Sequence, residues 1–212
     1  MSSSIIPGPD ALTRLREGNS RFVANVRSIE ALASLSRRID PFTQQKPFAI
    51  VLGCADSRAP AETIFDQGLG DLFVIRVAGN IVAPSQIGSV EFAAERFGTQ
   101  LVVVMGHSHC GAIAATVEAM QARGDEAPKS RNLLSITDRI APAVAPLMHT
   151  ELAKDRAALL RAATRANVAA SANQLRHGSR LLEDLSLKNG LMVVGAEYDL
   201  VTGVVDFFDH AE

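Results

Sequence analysis

The sequence predicts a single α/β domain of three layers, in which a mainly parallel central sheet is flanked by helices and preceded by an N-terminal helical arm. Two observations predict this class. From Phe48 onwards, short runs of apolar residues alternate with helical patterns, and such alternation indicates βαβ crossovers around a parallel sheet. The 212 residues are 47% hydrophobic, which is enough for one domain with a substantial core.

The N-terminal part of the chain predicts the arm. A helical pattern with an apolar face that includes Leu12 and Leu15 begins near Asp10, which is available as its N-cap residue. We expect the arm to span residues 1–44. It should form one structural unit with an α/β catalytic domain over residues 45–212, which carries the candidate site.

The elements of the α/β domain follow one another in a regular order. The expected strands cover 48–53, 72–77 and 101–105, and the expected helices cover 61–67, 86–97 and 111–123. A long helical stretch from 133 to 187 follows, broken near Pro142 and Pro146. Two last strands, 191–196 and 201–208, are expected to form a hairpin at the edge of the sheet.

The composition excludes several classes of partner. Lys and Arg number 21 against 23 Asp and Glu, so the formal net charge is −2 and gives no general attraction to nucleic acid or an anionic membrane. Residues 1–9 lack the basic and apolar regions of a signal peptide, and no later apolar run is long enough to cross a bilayer. We therefore expect a cytoplasmic protein whose partners include neither nucleic acid nor a membrane.

The candidate site lies where two expected strands end. His107 and Cys110 follow the strand 101–105 at an H-x-x-C spacing, and Cys54 directly follows the strand 48–53. Open α/β sheets bind their ligands at the carboxyl ends of the strands. We therefore expect these three side chains to meet at that edge.

Two thiolates and one imidazole form a soft donor set that suits Zn²⁺. The chain has only two cysteines, which favours three protein ligands and an open fourth position, the arrangement of catalytic zinc. A water molecule in that position loses a proton far more easily than bulk water does. Because two thiolates offset the charge of the metal, we expect activity to rise on the alkaline side.

A carboxylate and a guanidinium follow the first cysteine. Asp56 and Arg58 stand two and four residues after Cys54, so in extended backbone all three side chains project to one side. Asp56 could accept a hydrogen bond from a zinc-bound hydroxide, or it could become the fourth ligand and close the site. Arg58 can hold the carboxylate ionised and turned from the metal, so we expect Asp56 and Arg58 to be a catalytic pair.

These motifs resemble those of a known family. The sequences CADSR at 54–58 and HSHCG at 107–111 resemble the signature of the β-class carbonic anhydrases, and the resemblance extends from about Gln45 to Phe208. It implies one zinc ion per chain, reversible hydration of carbon dioxide to bicarbonate by zinc-bound hydroxide, and the site residues Cys54, Asp56, Arg58, His107 and Cys110.

The resemblance also implies a substrate pocket and a partner subunit. Gln45 stands where the family often has a glutamine that binds the substrate, and Phe73 and Phe92 stand where it has apolar pocket walls, although core packing is the more typical role for these two residues by themselves. Gly111 would present its backbone N–H beside the zinc, at a helix N-terminus that favours anions. In the family the pocket lies between two subunits, so a homodimer or a dimer of dimers is implied.

One subclass of the family has a regulatory bicarbonate pocket. That subclass carries a tryptophan where this chain has Val51, and the chain contains no tryptophan. The subclass's arginine is matched by Arg76, but this arginine also occurs without the pocket. The resemblance therefore implies an enzyme whose active site is open without regulation by bicarbonate.

Three alternatives remain open at this point. Gly106, His107 and Ser108 resemble the start of the G-x-S-x-G nucleophile elbow of α/β hydrolases, but Cys110 stands at its last position. A non-enzymatic protein with a structural zinc closed by Asp56 is a different class. Relatives within the family hydrolyse carbon disulfide or carbonyl sulfide with the same zinc ligands.

Overall fold

A sheet of five strands forms the centre of the protein, in a computed structural model that describes residues 5–29, 45–122 and 130–209. The strands are β1 (Ala49–Gly53), β2 (Leu72–Arg76), β3 (Leu101–His107), β4 (Met192–Tyr198) and β5 (Val205–Asp209). Their order across the sheet is β2-β1-β3-β4-β5. The first four run parallel, and β5 pairs antiparallel with β4 as the predicted hairpin at the edge.

Helices cover both faces of this sheet. They are α1 (Gly8–Val23), α2 (Ala61–Ile64), α3 (Pro84–Phe97), α4 (Gly111–Gln121), α5 (Arg131–Val144), α6 (Arg156–His177) and α7 (Arg180–Asn189). Short 3₁₀ helices occupy Ala78–Asn80, Ala145–His149 and Glu151–Lys154. Among the described residues, no helix combines the length and the apolar character that crossing a membrane requires.

Successive strand residues point into two apolar layers. Val51 and Val103 pack on one side, where α1 contributes Leu15. Leu52 packs on the other side, together with Val168 of α6. Because both faces are buried, the strands show no polar alternation. This packing confirms the predicted three-layer α/β fold.

The N-terminal helix packs on the same core and is also joined to the last hairpin by hydrogen bonds. Asn19 of α1 is buried, and its Nδ2 donates to the carbonyl of Gly203 at 2.9 Å. The backbone N–H of Val205 donates to Asn19 Oδ1 at 2.9 Å. The expected N-cap is wrong, because α1 begins at Gly8 with Pro7 as its N-cap residue and Asp10 lies in the first turn. Of the predicted arm, 1–4 and 30–44 lie outside the described residues.

Two further boundaries differ from those that the sequence predicts. Strand β3 continues to His107, so this histidine ends the strand instead of following it. The predicted helical stretch 133–187 is divided into α5, α6 and α7, because the side chains of Asp155 and Ser179 accept hydrogen bonds from the first backbone N–H groups of new helices. Pro142 lies inside α5 without ending it.

Candidate metal centre

Three potential metal ligands meet at the carboxyl ends of β1 and β3. Gly53 pairs with Met105 across these strands, so Cys54 lies beside the end of β3, which carries His107. Cys110 is the N-cap residue of α4. The three side chains are buried, and their ligand atoms all lie within 4.8 Å of one another. Groups this close could hold one metal ion.

His107 offers this cluster a buried nitrogen, Nε2, that is not used in a hydrogen bond to any residue the structure describes. Its Nδ1 lies 2.9 Å from the carbonyl oxygen of Ser108, and a carbonyl can only accept, so the proton belongs on Nδ1 and the lone pair on Nε2. Nε2 is buried and lacks a hydrogen-bond partner among the described residues. Leaving such an atom unpaired is costly, and coordination of a metal would remove that cost.

Each of the two cysteines affects the ionisation of the other. A hydrogen bond from the Cys110 thiol lowers the pKa of Cys54 well below its usual value against the opposing effect of burial, and the backbone N–H groups of Asp56 and Gly79 lower it further. The same hydrogen bond, together with burial, raises the pKa of Cys110. A divalent metal would displace the proton of the Cys110 thiol, because the thiolate is the form that coordinates. Two sulfurs and one imidazole therefore fit a soft metal ion.

A bidentate ion pair lies beside the cluster. Arg58 Nε donates to Asp56 Oδ1 at 2.9 Å, and Arg58 Nη2 donates to Oδ2 at 2.8 Å. Asp56 Oδ2 is also 3.7 Å from Nε2 of His107. The hydrogen bonds from the Arg58 side chain hold the pKa of Asp56 well below its usual range, although burial opposes them. The carboxylate is therefore ionised at neutral pH and oriented by Arg58.

The sequence analysis did not assign two further groups to this site, the side chain of Arg76 and the backbone N–H of Gly79. Arg76, at the end of β2, donates from Nε to the carbonyl of Cys54 at 3.1 Å and from Nη2 to the carbonyl of Asp56. The backbone N–H of Gly79 donates to Cys54 Sγ at 3.4 Å. Because Gly53 pairs with Arg76 in the parallel sheet, a correct register for β2 would have placed Arg76 beside Cys54.

Comparison with known proteins gives the family of this chain. A family model described as carbonic anhydrase matches residues 49–205. The fold is similar to the crystal structure of the β-carbonic anhydrase CafA of Aspergillus fumigatus, with a TM-score of 0.71, 25% identity and coverage of 95% of this chain and 90% of that chain. The chain belongs to the β-carbonic anhydrase family.

Two bacterial relatives of this β-carbonic anhydrase show similar sequences. Carbonic anhydrase 2 of Mycobacterium tuberculosis is 42% identical over 130 residues, a match that covers 61% of this chain and 61% of the relative. A carbonic anhydrase of Pseudomonas aeruginosa is 33% identical over 184 residues, which cover 80% of this chain and 76% of the relative. The matched part thus spans less than two thirds of the mycobacterial protein.

Of the four expected substrate residues, only Gly111 lies beside the metal ligands in this β-carbonic anhydrase. Gly111 directly follows Cys110 as the first residue of α4, and the first N–H groups of a helix have no intrahelical acceptor. Gln45 is exposed and precedes β1, whereas Cys54 follows β1, so they lie at opposite ends of that strand. Phe73 of β2 and Phe92 of α3 form an aromatic cluster with Phe97.

Proposed function

We propose that this β-carbonic anhydrase catalyses the reversible hydration of carbon dioxide to bicarbonate and a proton, on a zinc ion held by Cys54, His107 and Cys110. The observation that carries the proposal is the buried cluster of two thiols and one imidazole beside a carboxylate that an arginine holds ionised. The bacterial relatives named as carbonic anhydrases support carbon dioxide as the substrate.

Zinc suits the donor set better than harder divalent ions do. When bound, zinc would act as a Lewis acid that lowers the pKa of a coordinated water molecule from its bulk value to near neutrality. Because the protein would supply three ligands, a fourth position on such an ion would remain for water or substrate. The hydrogen bond from His107 Nδ1 to the Ser108 carbonyl fixes the ring orientation and keeps Nε2 available.

Asp56 and Gly111 provide the polar groups around the reacting molecules. Asp56 Oδ2 accepts a hydrogen bond from a water molecule at the site and orients its lone pair toward carbon dioxide. Arg58 competes with the metal for this carboxylate by donating to both of its oxygens. The N–H of Gly111 donates to an oxygen of bicarbonate, whose negative charge the N-terminus of α4 favours.

We also propose that the active protein is a homodimer or a dimer of dimers, in which Gln45, Phe73 and Phe92 complete the pocket of the partner subunit. Phe92 is 53% exposed, and exposed aromatic clusters are typical of interfaces. Gln45 precedes β1 and Cys54 follows it, so the two residues of one chain lie at opposite ends of that strand. A structural relative from Sordaria macrospora, with a TM-score of 0.70, 24% identity and coverage of 80% of this chain and 84% of that chain, is described as tetrameric.

The alternatives fit these observations less well. A structural zinc site closed by Asp56 requires that carboxylate to leave Arg58, with which it makes two short hydrogen bonds. A nucleophile elbow leaves the cluster of Cys54, His107 and Cys110 without a role. Hydrolysis of carbon disulfide or carbonyl sulfide would use the same ligands, but the names of the bacterial relatives favour carbon dioxide.

Stopped-flow hydration of carbon dioxide, followed with a pH indicator, tests the proposal. The protein is loaded with zinc, its metal content is measured, and rates are recorded at mildly acid and at alkaline pH. We expect hydration at both values with a faster rate at alkaline pH, and loss of the rate when the zinc is removed. Zinc-loaded protein that hydrates no carbon dioxide at either pH would contradict the proposed function.

A further inference from the structure

The turn Ala78–Asn80 contacts Cys54, the first of the three candidate metal ligands. The backbone N–H of Gly79 donates to Cys54 Sγ at 3.4 Å, within the buried part of the protein. An N–H group aimed at a thiolate stabilises its charge and fixes the direction of its lone pairs. The position of this turn therefore affects the charge and the orientation of the Cys54 thiolate.

The turn has an unusual backbone conformation and is closely packed. Gly79 has φ 68° and ψ 18°, and Asn80 follows with φ 42°, so two consecutive residues lie in the left-handed region. A Cβ atom at Gly79 would lie 2.8 Å from Cδ1 of Ile140 and 3.1 Å from Cβ of Ala112. Glycine adopts this conformation without cost, and asparagine tolerates it better than most residues do, so the position of the turn depends on its contacts with neighbouring elements.

Two buried side chains of α6 bind the carbonyls of this turn. Asn167 Nδ2 donates to the carbonyl of Gly79 at 2.8 Å, and Ser171 Oγ donates to the carbonyl of Asn80 at 3.1 Å. Asn167 is 2% exposed and Ser171 is 5% exposed. They stand four residues apart and so share one face of the helix. Burying such polar groups is costly unless they are hydrogen-bonded, and here each is bonded to the turn.

We propose that Asn167 and Ser171 are positioning residues for the metal-binding thiolate of Cys54, acting through the turn Ala78–Asn80. The inference rests on the proposed function, because it assumes that Cys54 binds zinc. Loss of either hydrogen bond leaves a carbonyl of the turn unpaired, and the turn then shifts and carries the Gly79 N–H away from Cys54 Sγ. The hydrogen bonds described for Asn167 and Ser171 go to the turn and not to the three ligands, so both residues act through the turn.

Zinc affinity, measured by competition with a chromophoric chelator, tests the proposal. Asn167→Leu keeps the approximate volume and removes the donor, and we expect a loss of affinity of about 10–100-fold, the usual range when a partner of a metal ligand is removed. Ser171→Ala should lose less, because its hydrogen bond is longer. In the cobalt-substituted protein, the thiolate-to-metal charge-transfer band should move to lower energy in both variants, because the thiolate loses a donor.

Thr164→Val is the matched control. Thr164 lies on the same helix, is 4% exposed and donates to the carbonyl of Leu160 within α6 at 2.9 Å. Its loss should leave the zinc affinity and the cobalt spectrum unchanged. Affinities and spectra of the Asn167 and Ser171 variants equal to those of the control would overturn the proposal, and should Asn167→Leu not fold, Ser171→Ala decides alone. Wild-type protein that binds no zinc would instead contradict the proposed function.

Discussion

The metal centre and the aromatic cluster of Phe73, Phe92 and Phe97 differ in how completely one chain builds them. Cys54, His107 and Cys110 are each at least 95% buried, since none exceeds 5% exposure. Phe92, in contrast, is 53% exposed. The difference shows that a single chain builds the geometry of the metal centre, whereas it leaves the aromatic cluster partly exposed, where we propose that a partner subunit covers it.

The contrast has a physical cause in the position of each region. Cys54 and His107 lie at the carboxyl ends of the neighbouring inner strands β1 and β3. There Cys54 accepts hydrogen bonds from Arg76 and from the backbone N–H of Gly79, and His107 donates one to the carbonyl of Ser108. The aromatic cluster lies on β2, which is a terminal strand of the described sheet, and on α3 next to it. Variants of the metal centre should therefore lose zinc, whereas variants of the aromatic cluster should lose the proposed contact between subunits.

The largest effect is expected from removal of a ligand. Cys54→Ser should abolish zinc retention and carbon dioxide hydration, with a loss greater than the roughly 10–100-fold that removal of a ligand's hydrogen-bond partner costs. The serine hydroxyl is a much poorer zinc ligand than a thiolate. Metal analysis of purified protein and stopped-flow assays measure both quantities. A fully active variant with one zinc per chain would overturn the ligand assignment.

The second-largest effect is expected on the mass of the assembly in solution, and not on its metal content. Phe92→Asp places a charge in the aromatic cluster, and loss of a central aromatic contact at an interface costs about 2 kcal/mol or more, equivalent to about 30-fold in affinity. We expect light scattering to show smaller particles, with zinc retained and the hydration rate reduced.

Leu187→Asp is the control for this change, because Leu187 is also exposed, at 80%, and lies on α7, outside the aromatic cluster. It should leave the mass and the rate unchanged. If Phe92→Asp keeps the parental mass and rate, the cluster is not the interface, and the proposed pocket between subunits loses its support.

A smaller effect is expected at the ion pair, where the chain itself supplies the geometry. Arg58→Lys keeps the positive charge but cannot make both hydrogen bonds to Asp56. We expect roughly a 10-fold loss of hydration rate, by analogy with other partners of metal-site groups, with unchanged zinc content and mass.

Arg156→Lys is a matched control, since Arg156 pairs with Glu118 and its side chain is 56% exposed, as is that of Arg58. Its effect on the rate should be negligible. Equal rates in the two variants would show that the bidentate geometry of Arg58 does not matter for the reaction.

The metal centre was largely predictable from the sequence, because its residues are fixed by local patterns. Apolar runs without polar alternation marked the buried strands β1 and β3, and the parallel arrangement placed the residues after them together. The pairing of Asp56 with Arg58 that their spacing led us to expect is present, and it is bidentate. Each of these inferences needed only neighbours in sequence and one rule about parallel sheets.

The remaining parts of the site depend on contacts between distant segments. Asn167 reaches Gly79 across 88 positions of sequence, and nothing in an alanine-rich helical pattern distinguishes a buried asparagine from an exposed one. The predicted break near Pro146 is present, since α5 ends at Val144. The starts of α6 and α7 were missed for a related reason, since Asp155 and Ser179 act as caps only in the backbone conformations that the tertiary structure imposes. The β2 register that brings Arg76 to Cys54 also follows from packing.

The smallest effect concerns the pH dependence of stability at Asp56. Its pKa in the folded protein lies below its usual range, chiefly because of hydrogen bonds from Arg58, so it stabilises the fold above the unfolded value of about 3.9. This contribution is lost as the pH falls through the folded pKa. In metal-free protein, Asp56→Asn should therefore lower the urea midpoint at pH 7, and the difference from the parent should shrink between about pH 4 and pH 3.

Asp184→Asn, which breaks an exposed pair with Lys188, should change the midpoint little, because such pairs contribute about 0.3–0.5 kcal/mol. A difference between Asp56→Asn and the parent that stays constant down to pH 3 would show that Asp56 is not an ionised partner of Arg58, and the metal centre would then lack the oriented carboxylate that sets it apart from a merely structural site.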